Sequence, residues 1–286
     1  MQIALVTSKL HPDLLETERN LINIFAEKRI IAEPVIWNNP DIDWTKFDYV
    51  IIRTTWDYFY HYTKFQYWLE DLEKNNIQVI NHIHTIKKNV HKYYLRELQS
   101  RGVEIIPTLF VDKTDNLNLE LFKSKLWRKN VIKPSFSADS YMTSVFTPDE
   151  LKKVENEYKE IAVQRNLLIQ PFMEEIVEMG EISMIFFNKQ FSHSILKTPQ
   201  KGDFRVQSDY GGTYKRYNPS KKMIETGKFI LSCWDDDLLY ARVDGILSKD
   251  KFLMMELELI EPDLYFEYCE NAQQDFVESF CDYIKK

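Results

Sequence analysis

The sequence predicts an α/β chain that turns to α+β in its C-terminal part, with a few subdomains packed around one cleft. Three observations predict it. Over the first 85 or so residues, short apolar segments alternate with amphipathic ones, the pattern of a parallel sheet with covering helices. From Glu181 onward strands dominate. The 286 residues contain no repeat, no low-complexity stretch and no long linker, so the subdomains are expected to pack tightly.

Residues 2–7 read as a buried strand. Residues 13–29 read as a helix, with Leu14, Leu21, Ile24 and Phe25 at helical spacing. Strands are expected at 33–37, 48–53 and 78–80, and a helix at 62–75, giving an N-terminal unit over residues 1–86. Ligands of such sheets sit beyond the C-terminal strand ends. Arg53-Thr54-Thr55-Trp56-Asp57-Tyr58 lies at one of them. A guanidinium there can grip a carboxylate in bidentate fashion. The plain alternative pairs Arg53 with Asp57 and packs Trp56 and Tyr58 against the next helix.

A second unit is expected over 87–170. Residues 88–101 read as a helix stopped by Gly102. An extended segment follows at 103–111, a helix at 117–127 and a strand at 130–133. After a loop at 134–140 come a strand at 141–146, a polar helix at 148–164 and a strand at 167–170 that Pro171 ends. Lys133 closes its strand before a loop holding Ser135, Ser137 and Ser140. A lysine there reaches a phosphate as a point charge, while loop N–H groups and hydroxyls cradle its oxygens. An exposed strand-end lysine reads the same way, and Lys92, on a helix, shares that ambiguity. No P-loop and no G-x-G-x-x-G occurs.

The third unit, 171–286, is expected to hold strands at 182–187 and 190–197, a helix at 220–233, a hairpin, and a last helix at 270–285. Arg205 precedes Gly211-Gly212. Adjacent glycines in a chain with only seven suggest close backbone approach or positive φ, with a flexible loop as the alternative. His193 sits in an alternating strand pattern and is read as structural or ligand-lining. No spacing supports a Ser-His-Asp or Cys-His arrangement.

The hairpin carries the most chemistry. Residues 239–247 and 252–260 read as strands around a turn at 248–251. Glu256 and Glu258, two apart, project to one face, with Leu257 and Leu259 on the other. With the turn centred on Asp250, Asp244 lies opposite Glu256 and Arg242 opposite Glu258. A slip of one residue would turn Asp244 away. Carboxylates crowded on one face repel and lose solvation, and a hard divalent cation such as Mg²⁺ relieves both. An acidic solvent-facing strand is the alternative.

A formal net charge of −7 argues against a broad nucleic-acid footprint. Cys233, Cys269 and Cys281 match no zinc spacing and read as free thiols of a reducing compartment. No apolar run approaches a membrane span, and the N-terminus enters a strand directly, so a cytoplasmic protein is expected. The 16 Tyr and 18 Phe leave a homo-oligomer open.

Taken in order, these motifs resemble the ATP-grasp family, within its glutathione synthetase-like branch, over most of the chain. The stretch from His91 to Leu98, then Gly102-Val103 and Pro107-Thr108, resembles the opening of the nucleotide-binding half. Lys92 and Val131-Ile132-Lys133-Pro134 resemble the two phosphate lysines. Leu168-Ile169-Gln170-Pro171-Phe172 resembles the segment along the adenine, and Gly180-Glu181-Ile182-Ser183 the start of the C-terminal lobe. Arg205 with Gly211 and Gly212 resembles the group facing the γ-phosphate and acyl substrate. Asp244, Glu256 and Glu258 fall on the metal-ligand positions, with Glu258 where the family usually has Asn. Trp56-Asp57-Tyr58, the glycine-poor phosphate loop and the Glu-Leu-Glu ending are most similar to the D-cycloserine ligase-like subgroup.

The resemblance implies an ATP-grasp fold with an N-terminal preATP-grasp domain and two α+β subdomains enclosing the nucleotide. It also implies an ATP- and Mg²⁺-dependent carboxylate–amine ligase that works through an acylphosphate on a small amino-acid-like substrate. Asp244, Glu256 and Glu258 would hold one or two Mg²⁺. Lys92, Lys133, Ser137, Gln170, Pro171, Phe172 and Glu181 would line the nucleotide site. Arg205 and Arg242 would stabilise the transferring group, and Arg53, Trp56, Asp57, Gly211 and Gly212 would face the substrate. A non-catalytic nucleotide-binding protein and an Mg²⁺-dependent phosphohydrolase are the alternatives.

Overall fold

The computed structural model describes residues 1–136 and 142–286. Three sheets organise the chain. The first is parallel, ordered β2-β1-β3-β4, from β1 (Gln2–Thr7), β2 (Ile31–Ile36), β3 (Tyr49–Thr54) and β4 (Val79–Ile80). Helices α1 (Leu21–Glu27) and α2 (Tyr62–Lys74) cover it. Alternation along β1 sends Ile3 and Leu5 to one face, with Leu21 and Phe25 of α1. Ala4 and Val6 go to the other, with Phe65, Trp68 and Leu72 of α2. The helix expected over 13–29 forms only from Leu21, because Leu14 sits at φ 64, outside helical space.

Of the helix expected over 88–101 only Tyr94–Ser100 forms one, α4, and a separate helix, α3 (Ile83–Asn89), precedes it. The break places Lys92 in the connection, where its backbone N–H donates to Ser135 O at 2.8 Å. The second sheet is antiparallel, ordered β5-β8-β6-β7, from β5 (Leu109–Val111), β6 (Asn130–Pro134), β7 (Ser144–Phe146) and β8 (Leu167–Pro171). Helix α5 (Leu151–Gln164) covers it through Leu151, Val154, Tyr158 and Ala162. Residues 119–125 form a 3₁₀ segment rather than the α-helix expected at 117–127.

After α6 (Glu174–Glu178) comes a five-stranded antiparallel sheet, ordered β11-β10-β9-β12-β13. Its strands are β9 (Glu181–Phe187), β10 (Gln190–Thr198), β11 (Thr213–Arg216), β12 (Tyr240–Ser248) and β13 (Lys251–Glu258). Neither α6 nor β11 was expected from the sequence. Helix α7 (Lys221–Ser232) packs on one face and α8 (Ala272–Tyr283) on the other. Phe276 and Phe280 of α8 share a core with Ile3 and Leu5 of β1 and with Ile185 and Phe187 of β9. One apolar cluster therefore joins the first sheet to the third.

The free edge of β13 is closed by other parts of the chain. Tyr94 Oη sits 3.0 Å from both Leu257 N and Leu257 O. Asn89 Nδ2 donates to Leu257 O at 2.8 Å, and its Oδ1 accepts from Leu259 N at 3.0 Å. Further up, the backbone at 104–106 pairs with Met254. Among the described residues no helix is long and apolar enough to cross a membrane. All three cysteines are free thiols.

Candidate active site

The hairpin register is the one the acidic cluster demands, reached by an unexpected route. Lys249 and Asp250, at φ 50 and 61, form a two-residue turn that pairs Ser248 with Lys251 and Gly245 with Met254. Continued regularly, that pairing would set Asp244 opposite Met255. A bulge between Asp244 and Gly245 absorbs one residue, so Asp244 pairs with Glu256 and Arg242 with Glu258. Gly245 is required there, since a Cβ would meet Leu253 O at 2.4 Å. The sequence reading did not anticipate the bulge; the glycine beside Asp244 was its only trace.

These carboxylates line a cleft of about 350 Å³ together with Lys92, Lys133, Gln170, Pro171, Phe172, Glu181, Arg205, Arg242 and Trp56. The second sheet supplies one wall. Gln170 Nε2 donates to Thr108 Oγ1 at 2.9 Å, and Lys129 Nζ lies 3.4 Å from the centre of the Phe172 ring. The third sheet supplies the charged floor.

Lys92 Nζ lies 2.9 Å from Glu256 Oε1. Arg242 Nη2 reaches Asp244 Oδ2 at 3.0 Å and also pairs with Glu258. Lys197, which the sequence reading did not single out, pairs with Glu181 and lies 3.7 Å from Asp244 Oδ2. Ser183 Oγ donates to Asp244 Oδ1 at 2.5 Å. Burial raises the Asp244 carboxyl, but Arg242 and Lys197 outweigh it and hold that carboxyl below the usual range. At Glu258 burial wins over Arg242, and the carboxyl is pushed well up. Lys133 has no ion-pair partner among the described residues. Burial pulls its ammonium down against the attraction of Glu256.

Glu181, Asp244, Glu256 and Glu258 thus face Lys92, Lys133, Lys197 and Arg242. The donor set suits a hard divalent ion: oxygen ligands on one face of a paired hairpin. Among the described residues no three of them converge on a common point; Lys92 holds Glu256, while Arg242 lies between Asp244 and Glu258. A triphosphate brought against Lys92 and Lys133 would displace those pairings and add negative charge that only a cation can balance. The residues fit Mg²⁺ on that ground.

Several expected residues are not brought to the cleft. Arg53 is fully buried beneath it. Its Nη2 donates to Glu18 Oε1 at 2.6 Å and to Pro262 O at 2.9 Å. Its partner is therefore Glu18 and not Asp57, which accepts from Trp37 Nε1 at 2.7 Å. Gly211 (φ 78) and Gly212 shape the adjoining loop: a Cβ on Gly212 would meet Val206 O at 2.0 Å. Arg205 lines the cleft from that loop, with its guanidinium on Asp203 (Nη2 to Oδ2, 2.7 Å) and 3.7 Å from the centre of the Tyr210 ring. Ser137 lies outside the described residues. Beyond the hairpin the cleft gains Glu261, Asp263 and Tyr265, which sequence reasoning missed. They follow the Glu-Leu-Glu run, but nothing in their spacing distinguishes them from a loop.

Comparison with known proteins agrees with this architecture. Residues 3–81 match the family model described as D-cycloserine synthetase DcsG, N-terminal domain. The cycloserine biosynthesis protein DcsG of Streptomyces lavendulae is 24% identical over 294 residues, spanning 96% of this chain and 93% of that protein. The crystal structure of D-cycloserine synthetase DcsG superposes with a TM-score of 0.89 at 21% identity, covering 99% of each chain. A RimK domain ATP-grasp protein from Sphaerobacter thermophilus gives 0.72 at 12% identity, again over 99% of each. At these identities the solved structures establish the fold.

Proposed function

We propose, from a fold shared with D-cycloserine synthetase DcsG and with ATP-grasp proteins, that the chain is an ATP-grasp protein and an ATP-dependent ligase forming a C–N bond between a carboxylate and an amine. The observation that carries this reading is the face-to-face placement of Lys133 and Lys92 against Asp244, Glu256 and Glu258 across one cleft. Lys92 is held by Glu256, a carboxylate that a cation could take over, and Lys133 is buried beside it. A nucleoside triphosphate with Mg²⁺ supplies that cation, and an anion for the lysines.

In this reading Lys92 and Lys133 bind the α- and β-phosphates, and Gln170, Pro171 and Phe172 wall the base, with Glu181 at the nucleotide. Asp244, Glu256 and Glu258 would hold one or two Mg²⁺, which neutralise the phosphate oxygens. The substrate carboxylate attacks the γ-phosphate, giving an acylphosphate and ADP. The amine then displaces phosphate. Positioning and charge stabilisation carry the chemistry, with Arg205 and Arg242 facing the transferring group. Trp56, Glu261, Asp263 and Tyr265 line the end beyond the hairpin, an acidic and aromatic wall suited to a small amino-acid-like substrate. Each of the proposed units, 1–86, 87–170 and 171–286, holds one sheet apart from the last residue of β8, which supports that division.

The test is ADP release with Mg·ATP against pools of amino acids and dipeptides, with Glu256→Gln as control. Release that requires an acceptor and vanishes in the variant supports the ligase. Release without any acceptor overturns it in favour of a hydrolase.

A further inference from the structure

We propose that Arg53 is a positioning residue that, with Trp56, fixes the backbone strap carrying Glu261 and Asp263 into the cleft. The inference rests on the ligase reading only for its effect on substrate.

The strap is residues 259–265, just past β13. Each of its carbonyls is held by a side chain from elsewhere. Asn81 Nδ2 donates to Leu259 O at 2.8 Å. Tyr240 Oη lies 2.8 Å from Ile260 O. Trp56 Nε1 donates to Glu261 O at 3.0 Å, and Arg53 Nη2 to Pro262 O at 2.9 Å. Arg242 Nη1 donates to Asp263 O at 3.1 Å. His193 Nε2 lies 2.9 Å from Leu264 O and 3.2 Å from Tyr265 O. No ladder fixes this stretch, so its shape is set by these donors. Arg53 and Trp56 hold the two carbonyls adjoining the residues whose carboxylates enter the cleft.

The Arg53–Glu18 pair does not read as a device for stability. Taking two charges out of water carries a desolvation cost that can exceed their attraction, and an apolar pair of similar volume often replaces such a bridge without loss. Among the described residues Arg53 Nη1 and Glu18 Oε2 are buried with no hydrogen-bond partner. The guanidinium is instead placed so that Nη2 reaches Pro262 O, with the Tyr240 ring 5.1 Å from its centre.

The test is hydrogen exchange on the full-length protein, comparing wild type with Arg53→Lys, Trp56→Phe and the double variant Glu18→Leu/Arg53→Met. The double variant removes the buried charges together and so keeps the fold measurable. Exchange over residues 259–265 is expected to accelerate about tenfold in the double variant and less in Trp56→Phe, with β1 and β3 unchanged. Arg53→Lys, which retains a donor, is expected to fall between. In turnover, KM for the non-nucleotide substrate is expected to rise about tenfold in the double variant while KM for ATP stays within about twofold. Unchanged exchange at 259–265 overturns the proposal. So does acceleration spread equally through β1 and β3, which would make Arg53 a stabiliser of its own sheet. If the ligase reading fails, wild type releases no acceptor-dependent ADP, and the exchange result still decides the role of Arg53.

Discussion

Lys92 Nζ stands 2.9 Å from Glu256 Oε1, so the lysine proposed for phosphate is held, before any nucleotide arrives, by a carboxylate proposed for metal. Each holds the place of the other's ligand. Glu256→Gln keeps the shape of the side chain and removes its charge. ADP release is expected to drop by on the order of 100-fold or more, with the thermal midpoint nearly unmoved because Glu256 is partly exposed. Near-normal turnover in this variant would remove Glu256 from the machinery.

Lys133 lacks an ion-pair partner among the described residues, and its burial works against its charge. Lys133→Met should therefore leave the ligand-free protein as stable as wild type or raise its midpoint, since an apolar side chain replaces a desolvated cation. The rise in midpoint that Mg·ATP gives wild type should shrink to near zero. Paired thermal melts measure both halves. A variant that still gains stability from Mg·ATP would place the phosphates elsewhere.

Gly245 predicts a link between backbone and activity. An added Cβ meets a backbone carbonyl, Leu253 O, which cannot swing aside. Gly245→Ala is expected to cost about 1–3 kcal/mol in urea denaturation. Because the bulge sets Asp244 opposite Glu256, activity should fall further than the stability loss explains. The bulge-free hairpin would carry Asp244 opposite Met255.

His193 predicts a pH dependence. Burial lowers its pKa to about 4, against the pull of the Leu264 and Tyr265 carbonyls, with Arg216 adding to the depression. The folded state therefore keeps the ring neutral where the unfolded chain protonates it. Stability from this group is fully present above pH 6.5 and falls as the pH drops toward 4. Between pH 7 and pH 5 the loss should be about 2 kcal/mol. Urea titrations at the two pH values, on wild type and His193→Gln, measure it. An equal loss in the variant would assign the slope to other groups.

Much of this arrangement was legible in the sequence where one period governs. The hairpin, the first parallel sheet and the placement of Lys133 at a strand end follow from alternation and apolar runs. Lys92 was expected on a helix and instead sits in the break between α3 and α4. Side-chain periodicity continues across that break and hides it. Arg53 was expected at the substrate because it ends a strand at the ligand edge of the sheet. Its partner Glu18 lies 35 residues away in an irregular stretch, and Pro262 farther still, which no local pattern encodes. The pairing of Asp244 with Glu256 was anticipated, but the bulge that produces it was not, since a two-residue turn and a compensating bulge leave the same sum of residues as a longer turn.

A strand at the end of a sheet is ordinarily a template for a strand from another molecule. β13 ends its sheet, yet Tyr94 and Asn89 already occupy the backbone groups of Leu257 and Leu259, and residues 104–106 occupy those of Met254. The strand bearing Glu256 and Glu258 is thereby closed to strand exchange with neighbouring copies at any concentration that leaves the fold intact. Its protection comes from polar side chains packed against the backbone and needs neither a proline nor a shortened strand. The same residues that keep the acidic hairpin from sticking to its neighbours also keep it from flexing.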